Sequence, residues 1–99
     1  MFYVANGCSL CGEGVRGFRL CRDGTTVVVM CDECDSVWVD ANQLDRSRML
    51  DIEPPDYQVP GSPCSLAGTR WATRAEIEAA GWGSLIAGEW QAFDERGKR

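Results

Sequence analysis

The 99-residue chain contains no histidine. That absence excludes an imidazole general base, a Ser-His-Asp or Cys-His nucleophile, and any zinc site with an imidazole ligand. No apolar run approaches the roughly 20 residues that cross a bilayer. The opening Met-Phe-Tyr-Val-Ala-Asn-Gly-Cys lacks both the basic stretch and the long apolar stretch of a secretory signal, so the expectation is a cytoplasmic protein with no membrane segment. Basic charge is also scarce, with 10 Lys and Arg against 15 Asp and Glu and a formal net charge of −5. The deficit is concentrated: residues 1–31 sum to +1, residues 32–56 to −6, and residues 57–99 to zero. An acidic middle repels phosphate backbones and argues against nucleic acid. It suits either a merely solvated surface or one that meets a basic protein.

A content of 44% hydrophobic and 25% charged residues separates the chain from disordered sequences and predicts one small domain over residues 1–99. Cores of this size often lean on a metal or on disulfides. Six cysteines supply the means, and four of them fall in two pairs, Cys8-Ser9-Leu10-Cys11 and Cys31-Asp32-Glu33-Cys34. The pattern C-x2-C-x19-C-x2-C has the spacing of a tetrahedral thiolate zinc site. Two cysteines three positions apart on a tight turn aim both sulfurs at one point, and Gly12 lets the first turn close. Between the pairs, residues 17–22 and 25–30 are rich in β-formers and flank Asp23-Gly24, which predicts a hairpin with a type I′ turn. Residues 35–40 supply a third strand.

By this layout residues 8–40 resemble a four-cysteine zinc ribbon, as found in transcription factors, ribosomal proteins, polymerase subunits and small bacterial proteins. The resemblance implies one structural zinc held by Cys8, Cys11, Cys31 and Cys34, with the coordination shell closed to catalysis. Rubredoxins look similar at the knuckles but hold iron. Their Cys-Pro-x-Cys-Gly pattern is incomplete here, the first knuckle reading Cys-Ser-Leu-Cys-Gly and the second ending in Asp35. The remaining Cys21 and Cys64 are read as small buried apolar residues, a disulfide between them being disfavoured in a reducing compartment.

The fold class expected is a small α+β protein: the ribbon hairpin and third strand, a short C-terminal helix, and an added strand at 89–93. A short helical turn is expected within 41–53. All four prolines fall within residues 54–63, which reads as an extended strap, or as a polyproline ligand for an aromatic groove. In the C-terminal extension, 64–99, Thr73-Arg74-Ala75-Glu76 fits a capping box, and Gly81 stands where such a helix ends. Ile77 with Trp71 and Trp82 would dock it. The polar tail 95–99 is expected to fray.

Three functions compete. In the first, a non-enzymatic zinc-binding module presents Asp32, Glu33, Asp35 and Asp40, with Trp38 as an exposed anchor, to a basic protein partner. Small acidic chains of this general character look like immunity or antitoxin proteins. In the second, the ribbon binds nucleic acid through Arg16, Arg19 and Arg22, with Phe18 stacking. The third, an enzyme using Cys64 or carboxylate pairs, has no specific feature behind it.

Overall fold

β-branched and aromatic residues on either side of the Asp23-Gly24 turn build the centre of the molecule. The structure, a computed structural model, describes residues 1–90. Strands β1 (Phe2–Tyr3), β2 (Arg16–Leu20), β3 (Val27–Cys31), β4 (Val37–Trp38) and β5 (Gly88–Glu89) form one antiparallel sheet in the order β4-β3-β2-β1-β5. Helix is sparse, limited to α1 (Arg74–Ala79) and single 3₁₀ turns at Arg46–Arg48 and Gly83–Leu85. The first of those turns lies within 41–53, where a short helical turn is expected from the sequence.

The hairpin forms where the sequence places it, with Arg16 opposite Cys31 and Leu20 opposite Val27. Its turn differs from the expected type I′. Gly24 takes a φ of +80°, whereas Asp23 does not enter the left-handed region. Cys21 N donates to Thr26 O at 2.8 Å and Gly24 N to Cys21 O at 3.0 Å, so four residues make the loop. The Asp23 carboxylate accepts from the Thr25 and Thr26 amides at 2.9 and 2.8 Å and from the Thr26 hydroxyl. These bonds favour the longer loop, because an aspartate that caps the following amides stabilises a turn of its own.

Both faces of the sheet are covered. Phe18, Leu20, Val27, Val29 and Trp38 share one face with Ala72 and Ile77, and Trp82 and Leu85 pack against them. Val28 and Val37 point the other way and pack with Cys21, Val59, Cys64 and Leu66. Alternation along the strands therefore sorts residues between two cores. Trp38 is consequently not an exposed anchor: it is 0% exposed, and its Nε1 donates to Asp45 O at 2.9 Å. The exposed tryptophan among the described residues is Trp90, at 45%.

The strap is not simply extended. It pairs with the residues that follow it, Gln58 with Ser65, with Val59 N donating to Cys64 O at 2.9 Å and Leu66 N to Tyr57 O at 3.1 Å. Cys64 is joined to Cys21 in a disulfide with a Cα–Cα distance of 5.4 Å, correcting the expectation of two separate apolar thiols. The physical reason is juxtaposition: Arg22 N donates to Ser65 O at 3.0 Å, which brings the folded strap against the end of β2.

Beyond the strap, residues 70–72 run beside β2, with Leu20 N donating to Arg70 O and Ala72 N to Phe18 O at 3.1 and 2.8 Å. Thr73 and Glu76 then form the reciprocal capping box that starts α1, and Ile77 N–H bonding to Thr73 O continues it. Ile77 is fully buried, and Trp82 meets Phe18 with ring centroids 6.2 Å apart. Trp71 contributes differently, lying under the Arg19 guanidinium at 4.9 Å. β5 adds to the sheet through β1, a strand the sequence reading does not foresee, and pairs Phe2 with Glu89. Of the expected 89–93 strand, Glu89 lies in β5 and Trp90 follows outside it, while residues 91–93 and the tail 95–99 lie outside the described residues.

Candidate metal centre

Each cysteine pair sits on the same kind of turn. Gly12 N donates to Cys8 O at 3.0 Å, and Asp35 N donates to Cys31 O at 3.2 Å. The residue after each second cysteine is left-handed, Gly12 at +75° and Asp35 at +61°. Aspartate tolerates that region better than most residues, which is how the second knuckle closes without glycine. β3 delivers Cys31 directly from the sheet. Cys8 is fixed through Cys8 N donating to Gly14 O at 2.9 Å.

These turns bring four sulfurs within 4.8 Å of one another. Across the knuckles, Cys8 Sγ lies 3.8 Å from Cys34 Sγ and Cys11 Sγ lies 3.7 Å from Cys31 Sγ. A tetrahedron with metal–sulfur bonds of about 2.3 Å has edges of about 3.8 Å. The four cysteines are thus positioned to bind one metal ion, and both the donor set and its dimensions are consistent with zinc.

The local electrostatics fit the same reading. The Glu33 and Cys34 amides both point at Cys31 Sγ, each 3.4 Å away, as a thiolate would require. Burial nevertheless pushes the Cys31 thiol well above its ordinary value, so ionising it calls for a cation nearby. Cys11 is lowered to about 7, chiefly by the backbone N–H of Glu13 and then that of Gly14. Gly14 is a site residue the sequence reading misses. A Cβ there would stand 2.5 Å from Cys31 Sγ and 2.9 Å from Asp32 Oδ1. The available signal is the second glycine of Cys11-Gly12-Glu13-Gly14.

The acidic residues divide. Asp32 is half-buried and accepts from Val15 N at 3.0 Å, while its own amide donates to Val15 O, so it ties the second knuckle to the start of β2. Glu33 and Asp35 are exposed on that knuckle. Asp40 accepts from Asn42 N at 2.8 Å in the turn after β4. Trp38 lies in the core and joins none of them at the surface.

The basic stripe required for nucleic acid does not assemble. Arg16 shares the Phe18 face, is 6% exposed, and donates to Leu44 O at 3.1 Å. Arg19 is on the opposite face, donating to Thr69 Oγ1 and Thr69 O at 2.9 and 3.0 Å. Phe18, at 0% exposure, has no face to offer a base. Arg22 alone of the three is exposed.

No family model matches the chain, and no solved structure matches it. It is similar to "Uncharacterized protein L48" of Acanthamoeba polyphaga mimivirus, at 27% identity over 88 residues covering 80% of this chain and 72% of that one. Among the described residues, no helix is long and apolar enough to cross a membrane.

Proposed function

We propose that the chain is a non-enzymatic protein-interaction module built on a structural zinc centre of the zinc-ribbon type. The observation that carries this reading is the cross-knuckle sulfur spacing of 3.7 and 3.8 Å, which four thiolates on one tetrahedral ion would show. Four cysteine ligands leave such an ion no open position for water. Zinc there supplies folding free energy, while Cys8, Cys11, Cys31 and Cys34 hold it and Gly14 leaves room for Cys31.

The interaction role rests on charge. Residues 32–56 sum to −6, and Glu33 and Asp35 project from the second knuckle into solvent. A basic protein is the partner class this favours, with association steered electrostatically. Val39, 48% exposed beside Asp40, offers the apolar contact that Trp38 does not. An immunity-type role, covering a basic cleft on a partner enzyme, agrees with the size and acidity of the chain.

Native mass spectrometry of the protein captured from its source tests both layers. One zinc per chain, absent from Cys31→Ser, is expected; a native-like protein without metal would remove the centre. A stoichiometric basic partner is expected beside it. Charge reversal of Glu33 and Asp35 then slows association at low salt, and an unchanged on-rate would remove the electrostatic part.

A further inference from the structure

Arg16 is the charged side chain that the fold buries, at 6% exposure among the described residues. Its protein partners are neutral. Nη1 donates to Leu44 O at 3.1 Å, Nη2 to Ala5 O at 3.5 Å, and the guanidinium lies 5.4 Å from the centroid of the Trp38 ring. Nε has no hydrogen-bond partner. Among the described residues the ion pair is Arg70 with Glu76, so no carboxylate neutralises Arg16. A guanidinium removed from water without a counter-charge is a strong attractor for an anion.

The side chain also lines a hollow of about 280 Å³. Val4, Leu44 and Leu85 give it apolar walls, and Asn6 and Asn42 stand at its exposed rim. Each terminal nitrogen of Arg16 keeps a second N–H beyond the one already used, the fork that matches a carboxylate. At ~30 Å³ per water, the space equals roughly nine water molecules, the size of a small organic acid. Phosphate fits poorly, because one cation among apolar walls does not replace the hydration of a doubly charged anion.

We propose that this hollow binds a small carboxylate carrying a short apolar tail, its oxygens on the Arg16 guanidinium and its tail against Val4, Leu44 and Leu85. The site lies on the sheet face opposite the strap and is independent of the role proposed for the acidic knuckle.

The test is a two-dimensional NMR titration of the zinc-loaded full chain with isovalerate at constant ionic strength. Saturable shifts of the Arg16 Nε–H and the Val4 and Leu44 amides are expected, with a Kd on the order of 1 mM. Arg16→Lys should weaken binding about tenfold, because the ammonium lacks the planar fork. Asn42→Asp, at an exposed position that leaves folding intact, should weaken it at least about twofold by like-charge repulsion. N-acetyl-leucine binding as tightly as isovalerate would identify the natural carboxylate as a peptide C-terminus; weaker binding would identify a free acid. The proposal is overturned by no saturable shift, by neutral isovaleramide acting equally well, or by inorganic phosphate binding more tightly than isovalerate.

Discussion

Asp35 occupies, at a φ of +61°, the backbone position that Gly12 fills at +75° in the first knuckle. A left-handed non-glycine residue costs of order 1 kcal/mol, offset in part by the greater freedom that glycine loses on folding. Asp35→Gly should therefore raise the stability of the zinc-loaded protein by about 0.5 kcal/mol, read from the urea midpoint. Gly14→Ala tests the opposite situation. Its new Cβ would meet the sulfur of Cys31 at 2.5 Å, and relief requires moving either a ligand or β3. A loss of about 1–3 kcal/mol is expected, with zinc released at lower chelator concentration. An unchanged midpoint and unchanged zinc retention would show that Gly14 is not part of the centre. The cysteine spacing is legible by eye; the demand for glycine at position 14 is not, because it arises only when β3 brings Cys31 alongside.

At the scale of elements, the caps make testable electrostatic units. Glu76 is lowered to about 2, first by the Arg70 hydrogen bonds at 2.9 and 2.7 Å and then by the Thr73 amide. Its folded value is depressed from an ordinary 4.5, so its contribution is complete above that pH and disappears as pH falls toward 2. The stability difference between wild type and Glu76→Gln should shrink across that window, followed by tryptophan fluorescence in urea. The comparison is confined to pH values at which both proteins still hold their metal. A difference independent of pH would mean that the cap acts through packing alone. The hairpin turn carries a parallel case in Asp23, lowered to about 2 chiefly by the Thr26 hydroxyl and amide. Both motifs are readable as local sequence, Thr73-x-x-Glu76 and Asp23-Gly24, since the Thr73–Glu76 and Asp23–Thr26 partners lie within three positions, whereas Arg70 reaches Glu76 from six positions away. The turn type is not, because the Thr26 hydroxyl shifts the balance toward the longer loop.

For the whole molecule, two cross-links hold different regions. The sulfur cluster joins the two knuckles, and the Cys21–Cys64 disulfide closes a separation of 43 residues between the residue just after β2 and the residue just after the strap. Closing a loop of that length stabilises by about 2–4 kcal/mol, whereas the structural zinc proposed for the sulfur cluster would supply roughly 10–16 kcal/mol. Chelation with the disulfide intact should expose the Gly12 and Asp35 amides to hydrogen exchange before those of Val59 and Leu66. Mild reduction with zinc retained should reverse that order. Simultaneous loss of both sets in either experiment would show one cooperative unit instead of two anchored regions.

What the sequence by itself determined are the features whose causes are local: the paired knuckles, the hairpin between them, the capped helix, and the acidic character of residues 32–56. Tertiary structure decided the rest. Alternation at Val37-Trp38 reads as one face in and one face out only if a sheet has one covered side, and here the strap and the helix cover both. The helix side buried Trp38 and the strap side paired Cys21 with Cys64, while strand alternation alone set Arg16 and Arg19 on opposite faces. Tertiary packing also enclosed a cation among neutral partners, which depends on contacts between Arg16, Ala5 and Leu44, residues up to 28 positions apart. Such outcomes follow from which segments meet across the sheet, information carried by the packing of the whole chain and by no short stretch of it.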